Sequence, residues 1–331
     1  MSNGISVVIC CYNSAARLPA TLQHLAKQQV TSHFPWEIVL VNNASTDNTT
    51  EVAKSEWEKY TLKQTDFNIV QQPIPGLSNA REKGVKESRY EYIIFCDDDN
   101  WLDENYIENA CQLMKLNPKV GAAGGQSVAV SEIDLPEWFD EYKNGYAIGM
   151  QAADTRDTTM RKAVWGAGMV TRRSLFLKVF SNSYPSLLTD RKGKQLSAGG
   201  DSEFVMRLLF IGCRLYNDNN LTFQHFIAKE RLTEDYRIRL FGGFKESGLV
   251  LYPYSRQADI ALLTNVEKPV YFLKRFIKFL VSRKWRVKDW DYMHEALLIY
   301  HLTGIQFVKV DDVSKSVRQL YLNLKNEQGN G

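Results

Sequence analysis

Four short apolar runs alternate with four helix-patterned stretches over residues 1–125, and this alternation limits the fold more than any other feature of the chain. The runs are Ile5–Cys11, Glu37–Asn42, Phe67–Gln71 and Tyr92–Cys96, each of strand length. Between them lie helical patterns near Ala15–Gln29, Thr49–Tyr60, Leu77–Ser88 and Glu104–Leu116. Ser45, Thr46 and Asp47 supply start signals for the second helix, Pro75-Gly76 breaks the chain before the third, and Asp103 is placed to cap the fourth. Strands that alternate with helices form a mostly parallel sheet flanked by crossover helices, so the expected fold class is α/β. Parallel strands also carry their carboxyl ends to one rim, where such folds place ligands.

Beyond Val120 the pattern is less regular. A small-residue stretch with Gly121, Gly124 and Gly125 leads to Val128–Val130 and then to a loop holding Pro136, Trp138 and Phe139. Val164–Thr171 reads as a strand and Arg172–Phe180 as a helix. A polar, glycine-containing loop, Thr189–Gly200, precedes a strong helical pattern over Asp201–Ile211, and from about residue 229 the chain is mostly helical. The expected organisation is 1–125, a ligand-binding α/β half; 126–228, the second half of the same domain; and 229–331, a helical C-terminal region. No internal repeat or low-complexity segment breaks it.

The length of 331 residues allows one large core or two modest ones. With 44% hydrophobic and 24% charged residues the composition is that of a soluble globular protein. A net charge of +3 gives no footing for a general polyanion binder, and no nucleic-acid-reading motif is present. Cys10, Cys11, Cys96, Cys111 and Cys213 lack metal-type spacing and read as reduced thiols of a cytosolic protein. There is no basic start followed by an apolar core, nor any apolar run near the ~20 residues of a spanning helix. The expected location is cytoplasmic.

The polar ends of the strands carry the chemistry. The fourth strand runs into Asp97, Asp98 and Asp99, carboxylates of the kind a hard cation shares with substrate phosphates; the plain alternative is a solvated turn capping the next helix. The first strand ends in Cys11-Tyr12-Asn13, the second in Asn42-Asn43-Ala44-Ser45-Thr46-Asp47, and the third helix carries Arg81. A nucleotide diphosphate needs partners for its base, a cation for its phosphates and a metal between them. Asn42 and Asn43 also suit a turn after a strand, and Arg81 suits a helix surface.

The set Ser-Val-Val-Ile-Cys-Cys-Tyr-Asn, Val-Asn-Asn-Ala-Ser-Thr-Asp, Gly-Leu-Ser-Asn-Ala-Arg and Phe-Cys-Asp-Asp-Asp-Asn resembles the family 2 glycosyltransferases, bacterial polysaccharide-type members included. The match covers roughly residues 5–247, and the combination is far more specific than any piece. The resemblance implies a GT-A fold and a nucleotide-activated sugar as donor. It implies that Tyr12, Asn13, Asn42, Asn43, Arg81, Asp97, Asp98, Trp165, Gly166 and Arg231 bind the donor, with Asp97 near the ribose and Asp99 on Mg²⁺ or Mn²⁺. On an extended segment Asp97 and Asp99 share a side, and Asp98 points away as a solvated turn acid. Asn42 stands where many relatives have aspartate; an amide accepts or donates, so nothing here selects uracil as the base.

Ser-Ala-Gly-Gly-Asp-Ser-Glu-Phe resembles the family's acid motif and implies Asp201 as general base of an inverting transfer, although an aspartate there also suits a helix N-cap. Many relatives carry glutamate at the position of Gly200. Glu203 pairs with Arg207 one turn on in preference to orienting Asp201. Trp165-Gly166-Ala167-Gly168-Met169 resembles the stretch that approaches the donor sugar; Trp165 either stacks on a pyranose or belongs to the core. The segment from His225 through Arg231-Leu-Thr to Tyr236 resembles the polysaccharide-type members, with His225 a metal ligand or phosphate partner and Arg231 a second phosphate contact, or both structural.

The implied partners are a nucleotide diphosphate sugar and a glycan or lipid-linked glycan acceptor, in surface polysaccharide synthesis. Three other readings are weaker. A nucleotidyltransferase would place a glycine- and basic-rich loop after the first strand; a non-catalytic sugar-binding module would have lost the acids; a dinucleotide oxidoreductase would show Gly-x-Gly-x-x-Gly. Last, residues 268–288 hold eight basic side chains (Lys268, Lys274, Arg275, Lys278, Arg283, Lys284, Arg286, Lys288) and no acid. Val270, Leu273, Phe276, Ile277, Leu280 and Val281 share one helical face there. Such a helix fits an anionic membrane, which would make the protein peripheral on the inner face of the cell membrane, or it packs on the catalytic domain or a second copy of the chain.

Overall fold

Ile5–Cys11, seven residues without one exposed side chain, forms the strand (β1) on which the sheet is built. Ile5, Val7, Ile9 and Cys11 join one apolar cluster and Val8 the other, as a strand covered on both faces requires. The structure is a computed structural model, and it describes residues 4–31, 34–60, 65–181, 183–188, 198–285 and 289–329. After β1 come α1 (Leu18–Ala26), β2 (Trp36–Asn42), α2 (Thr49–Glu58), β3 (Asp66–Gln71), α3 (Leu77–Glu87) and β4 (Tyr92–Asp97). This is the alternation read from the sequence, with helix ends trimmed.

β1 pairs in parallel with β2 and β4, and β2 with β3. The register sets Cys11 opposite Asn42 and Cys10 opposite Asp97, so three strand ends reach one rim together. The chain continues through β5 (Asn100–Leu102), α4 (Tyr106–Leu116), β6 (Val120–Val130), α5 (Phe139–Tyr142), β7 (Gly149–Met150), β8 (Arg156–Asp157), β9 (Val170–Arg172), α6 (Arg173–Val179), α7 (Gly200–Phe210) and β10 (Arg214–Phe226). The main sheet order is β3-β2-β1-β4-β9-β6-β10-β5; β9 is antiparallel to both its neighbours, and β10 is parallel to β6 but antiparallel to β5. The α/β architecture is as expected, with its parallel half in residues 1–97 and a mixed half after it.

One local expectation changes. The strand expected over Val164–Thr171 is only β9, because Gly168 takes φ +70° and folds residues 165–169 over the end of β4; Gly168 donates to the Phe95 carbonyl and Phe95 to that of Met169. The small-residue stretch that the sequence left unassigned belongs to β6, which starts at Val120. Its small residues let β10 come close: a Cβ on Gly125 would lie 1.8 Å from the Leu221 carbonyl oxygen. β6 therefore runs through residue 125.

The C-terminal region comprises α8 (Glu234–Ala261), α9 (Glu267–Trp285), α10 (Asp289–Thr303) and α11 (Asp312–Gly329). Tyr254 and Ala258 of α8 and Val317, Leu320 and Leu324 of α11 join the cluster that covers one sheet face with Val8, Phe95 and Phe204. α9 and α10 share a small cluster of their own around Phe279.

Candidate active site

The rim where β1, β2 and β4 end opens into a cleft of about 670 Å³, closed on its far side by α7 and the start of α8. Tyr12, Asn43, Arg81, Asp97, Asp98, Asp99, Trp165, Gly166, Asp201, His225 and Arg231 all line it. The strand-four acids and Asp201 therefore share one cleft. Asn13 and Asn42 sit behind its wall: Asn13 accepts the Thr46 amide at 2.8 Å, while Asn42 accepts the Ser45 amide and donates to Thr50 at 2.8 Å. Both brace the loop from β2 to α2. Asn43 does similar work while facing the cleft, donating to the Gln72 and Ile74 carbonyls and accepting from Gly76.

Asp201 is on the first turn of α7, and its side chain points across the cleft. The N-cap is Gly199, at φ +116°, so the capping role considered for Asp201 falls to glycine backbone. Oδ2 accepts the Gly166 amide at 2.9 Å, and Oδ1 accepts the Ser202 amide at 2.7 Å. Gly166 is pressed from the other side by Arg81: a Cβ there would lie 2.6 Å from Nη2. The Arg81 guanidinium lies over the Phe95 ring at 5.2 Å and approaches Asp97 Oδ1 at 3.9 Å. A continuous line of contacts thus joins Asp201 to Asp97. Trp165 is only partly buried, within 5.9 Å of the Arg161 guanidinium, and is not a core tryptophan.

The segment after Asp97 is not extended. Asp98 and Asp99 form a turn that leads into β5, so the alternation argument for Asp98 fails. Asp98 is buried, not solvated: Arg17 Nη2 holds it at 2.6 Å, and Thr21 donates to its carbonyl. Burial and then the charge of Asp99 push its carboxyl above the ordinary range, with Arg17 acting against them. Arg17 is a cleft residue that no motif marked; its one signal is its place beside the proline that opens α1.

Pairing of β10 with β5 sets His225 opposite Asn100, beside Asp99. His225 Nε2 lies 3.3 Å from Asp99 Oδ1, Arg231 Nη1 lies 2.8 Å from Oδ2, and Asn100 donates to Oδ1. Burial works to raise the Asp99 carboxyl, but His225 and Arg231 together hold it well below the usual carboxylate range. Arg231 lies within 5.9 and 5.8 Å of the Tyr146 and Tyr236 rings, and the Tyr146 hydroxyl donates to its carbonyl. Tyr146 lies in a loop without sequence code, so it could not be foreseen.

Among the described residues no group of three or more His, Cys, Asp or Glu side chains is placed to hold a metal ion alone. Asp97 and Asp99 are two cleft carboxylates of the chemical kind that Mg²⁺ shares with substrate phosphates. His225 Nδ1 is buried without a hydrogen-bond partner among the described residues, so that ring has a nitrogen to spare. A second cavity of about 560 Å³ adjoins the cleft, with Asp201 and Arg81 in both walls and Phe95, Phe176, Phe180 and Phe204 in its lining.

The α/β sheet thus gathers acids, arginines and Asp201 of α7 around one rim cleft. The Glycosyl transferase family 2 model matches residues 6–180, and the chain belongs to that family. EpsH of Bacillus subtilis (strain 168), which bears a glycosyltransferase name, is 30% identical over 93% of this chain and 84% of its own length. Poly-beta-1,6-N-acetyl-D-glucosamine synthase of Staphylococcus epidermidis is 30% identical over 37% of this chain, a match that spans only 28% of the synthase. Among solved structures, Staphylococcus aureus TarS 1–349 in complex with UDP-GlcNAc superposes with a TM-score of 0.53 at 15% identity, covering 99% of this chain and 92% of that one. At that identity the likeness is one of fold.

Proposed function

We propose that the chain moves a sugar from a nucleotide diphosphate sugar to a hydroxyl of a glycan or lipid-linked glycan, with inversion, in surface polysaccharide synthesis. The observation that carries this reading is the common cleft of Asp97, Asp99 and Asp201. The names of EpsH and the synthase support the reaction class, and the UDP-GlcNAc held by TarS names a first donor to try.

In this reading the diphosphate lies beside Arg81 and Arg231, whose guanidinium groups take up negative charge as it departs. Tyr12, at the mouth of the cleft, and Asn43 flank the nucleoside; Trp165 and the Gly166 backbone flank the sugar. Asp97 and Asp99, with His225, would hold Mg²⁺ or Mn²⁺, which when bound supplies Lewis-acid stabilisation of the leaving diphosphate. The acceptor hydroxyl enters from the aromatic-lined cavity. Its oxygen attacks the anomeric carbon, the bond to the diphosphate oxygen breaks with its electron pair, and the hydroxyl proton passes to the Asp201 carboxylate. The Gly166 and Ser202 amides fix that carboxylate. The reading places the protein on the inner face of the cell membrane; no described helix is long and apolar enough to cross it.

Asp201→Asn tests the assignment. The variant is expected to keep the rise in melting temperature that a UDP-sugar panel with Mn²⁺ gives the parent, and to lose transfer by about 10²-fold or more. Transfer at the parent rate would remove Asp201 as base. A panel that shifts neither protein would remove the donor class.

A further inference from the structure

α9 has an inner face that is packed and an outer face that is exposed. Phe279 is buried against Ala296 and Ile299 of α10, and Phe272 and Phe276 close the same cluster. Arg275 and Lys278 reach the buried Glu295 of α10 at 3.3 and 2.8 Å. Packing on the chain itself therefore accounts for the aromatic side of the helix and for two of its cations. Arg286 and Lys288 lie outside the described residues.

The aliphatic side is unaccounted for. Val270, Leu273, Ile277, Leu280 and Val281 recur at helical spacing, and each is 47–57% exposed. Eleven residues separate the first from the last, a stripe of about 16 Å, with exposed Val266 in the turn just before the helix. Phe307 packs on Phe276 and Phe279 at the edge of this face while staying partly exposed, with exposed Ile305 close by in the chain. Single exposed apolar residues are ordinary; a continuous stripe of five marks a contact surface.

The charge beside the stripe selects the partner. At 100° per residue, Lys274 lies about 20° beyond Val281 at one edge of the stripe and Arg283 about 60° beyond Leu280 on the other side, past Phe276, both exposed and without an ion pair among the described residues. Glu267 is the sole acid of α9. A second copy packed stripe to stripe would oppose cation to cation. An anionic phospholipid surface instead takes the aliphatic side chains at its acyl boundary and the cations at its headgroups. We infer that the outer face of α9 is a docking surface for anionic phospholipid.

The surface is tied to the cleft. Tyr252 of α8 hydrogen-bonds His294 of α10, one residue after Leu251 of the cleft wall. Docking through α9 would bring the cleft to the membrane that presents a lipid-linked acceptor, a consequence that rests on the proposed transfer, whereas the docking does not.

The test is sedimentation of the full chain with phosphatidylcholine vesicles, with and without phosphatidylglycerol, at low and high salt. The parent is expected to sediment with phosphatidylglycerol vesicles at low salt and to release as salt screens the cations. A Leu273→Glu/Ile277→Glu variant is expected to melt like the parent and to bind about tenfold or more weakly. A Lys274→Glu/Arg283→Glu variant is expected to lose the salt-sensitive part. Three results would overturn the proposal: no sedimentation of the parent at low salt, equal binding by the Leu273/Ile277 variant, or a parent dimer that this variant turns to monomer in light scattering. Vesicle binding without sugar transfer would leave docking standing and sink only the catalytic reading.

Discussion

Between the carboxylate of Asp201 and the guanidinium of Arg81 there is room for a hydrogen atom and little else. Gly166 supplies it, donating its amide to one and leaving its open side to the other. Gly166→Ala would push Arg81 off Phe95 and away from Asp97. The expected outcome is a 10- to 100-fold loss of donor affinity, the scale of one charged hydrogen bond, with the melting temperature nearly unchanged; titration calorimetry with the donor checks it. Asp201 and the strand-four acids were legible because each follows a strong local signal, a Gly-Gly pair or an apolar run. Asp98 was not, since nothing in the sequence told that Arg17, 81 residues earlier, would meet it. Asn42 was legible as a strand end, and its partners Ser45 and Thr50 are near enough in the chain that the turn alternative already described them.

At the scale of elements, α7 is anchored by its own buried pair. Glu203 and Arg207 meet at 2.7 Å, as the spacing predicts, and Tyr254 of α8 donates to the same carboxylate at 2.6 Å. Glu203 also accepts the Leu187 amide, while Arg207 donates to the carbonyls of Val179, Tyr184 and Pro185. One ion pair thus holds α6, α8 and residues 184–188 around the helix that presents Asp201. Glu203→Gln leaves the Arg207 charge buried and unpaired, and is expected to cost about 3–5 kcal/mol in urea denaturation. The i,i+4 spacing gave the pair away; the loop carbonyls it gathers had no pattern. β10 escaped notice for a related reason. Its Asn217–Asn220 run reads as a loop, and the strand survives it through a register shift against β6, a long-range pairing that no local window contains.

Across the whole molecule, the parallel half follows from local alternation, whereas the mixed half depends on β9, a strand of three residues that needs β4 and β6 already in place. The C-terminal helices add a pH-sensitive joint. His301 of α10 is buried against Gln257 of α8 at 2.9 Å, and burial pushes its pKa down from 6.5 to about 4, with Arg318 and Arg256 assisting and Asp311 opposing. The unfolded chain therefore takes up its proton first as pH falls. The stabilisation is complete above about 6.5 and gone near 4, up to about 3 kcal/mol in all. His301→Gln is expected to flatten that part of the stability profile, read by denaturation at about pH 7 and about pH 4.5; an unchanged slope would place the acid sensitivity elsewhere.

Each acid at the end of β4 and in the turn after it already has an arginine at hand: Asp97 with Arg81, Asp98 with Arg17, Asp99 with Arg231. Charges matched at such short range send little field into the solvent. Ligands then reach the opening by plain diffusion, with capture rates nearly blind to ionic strength, and selection begins only after arrival, when a visitor must offer those arginines something better than the carboxylates they hold.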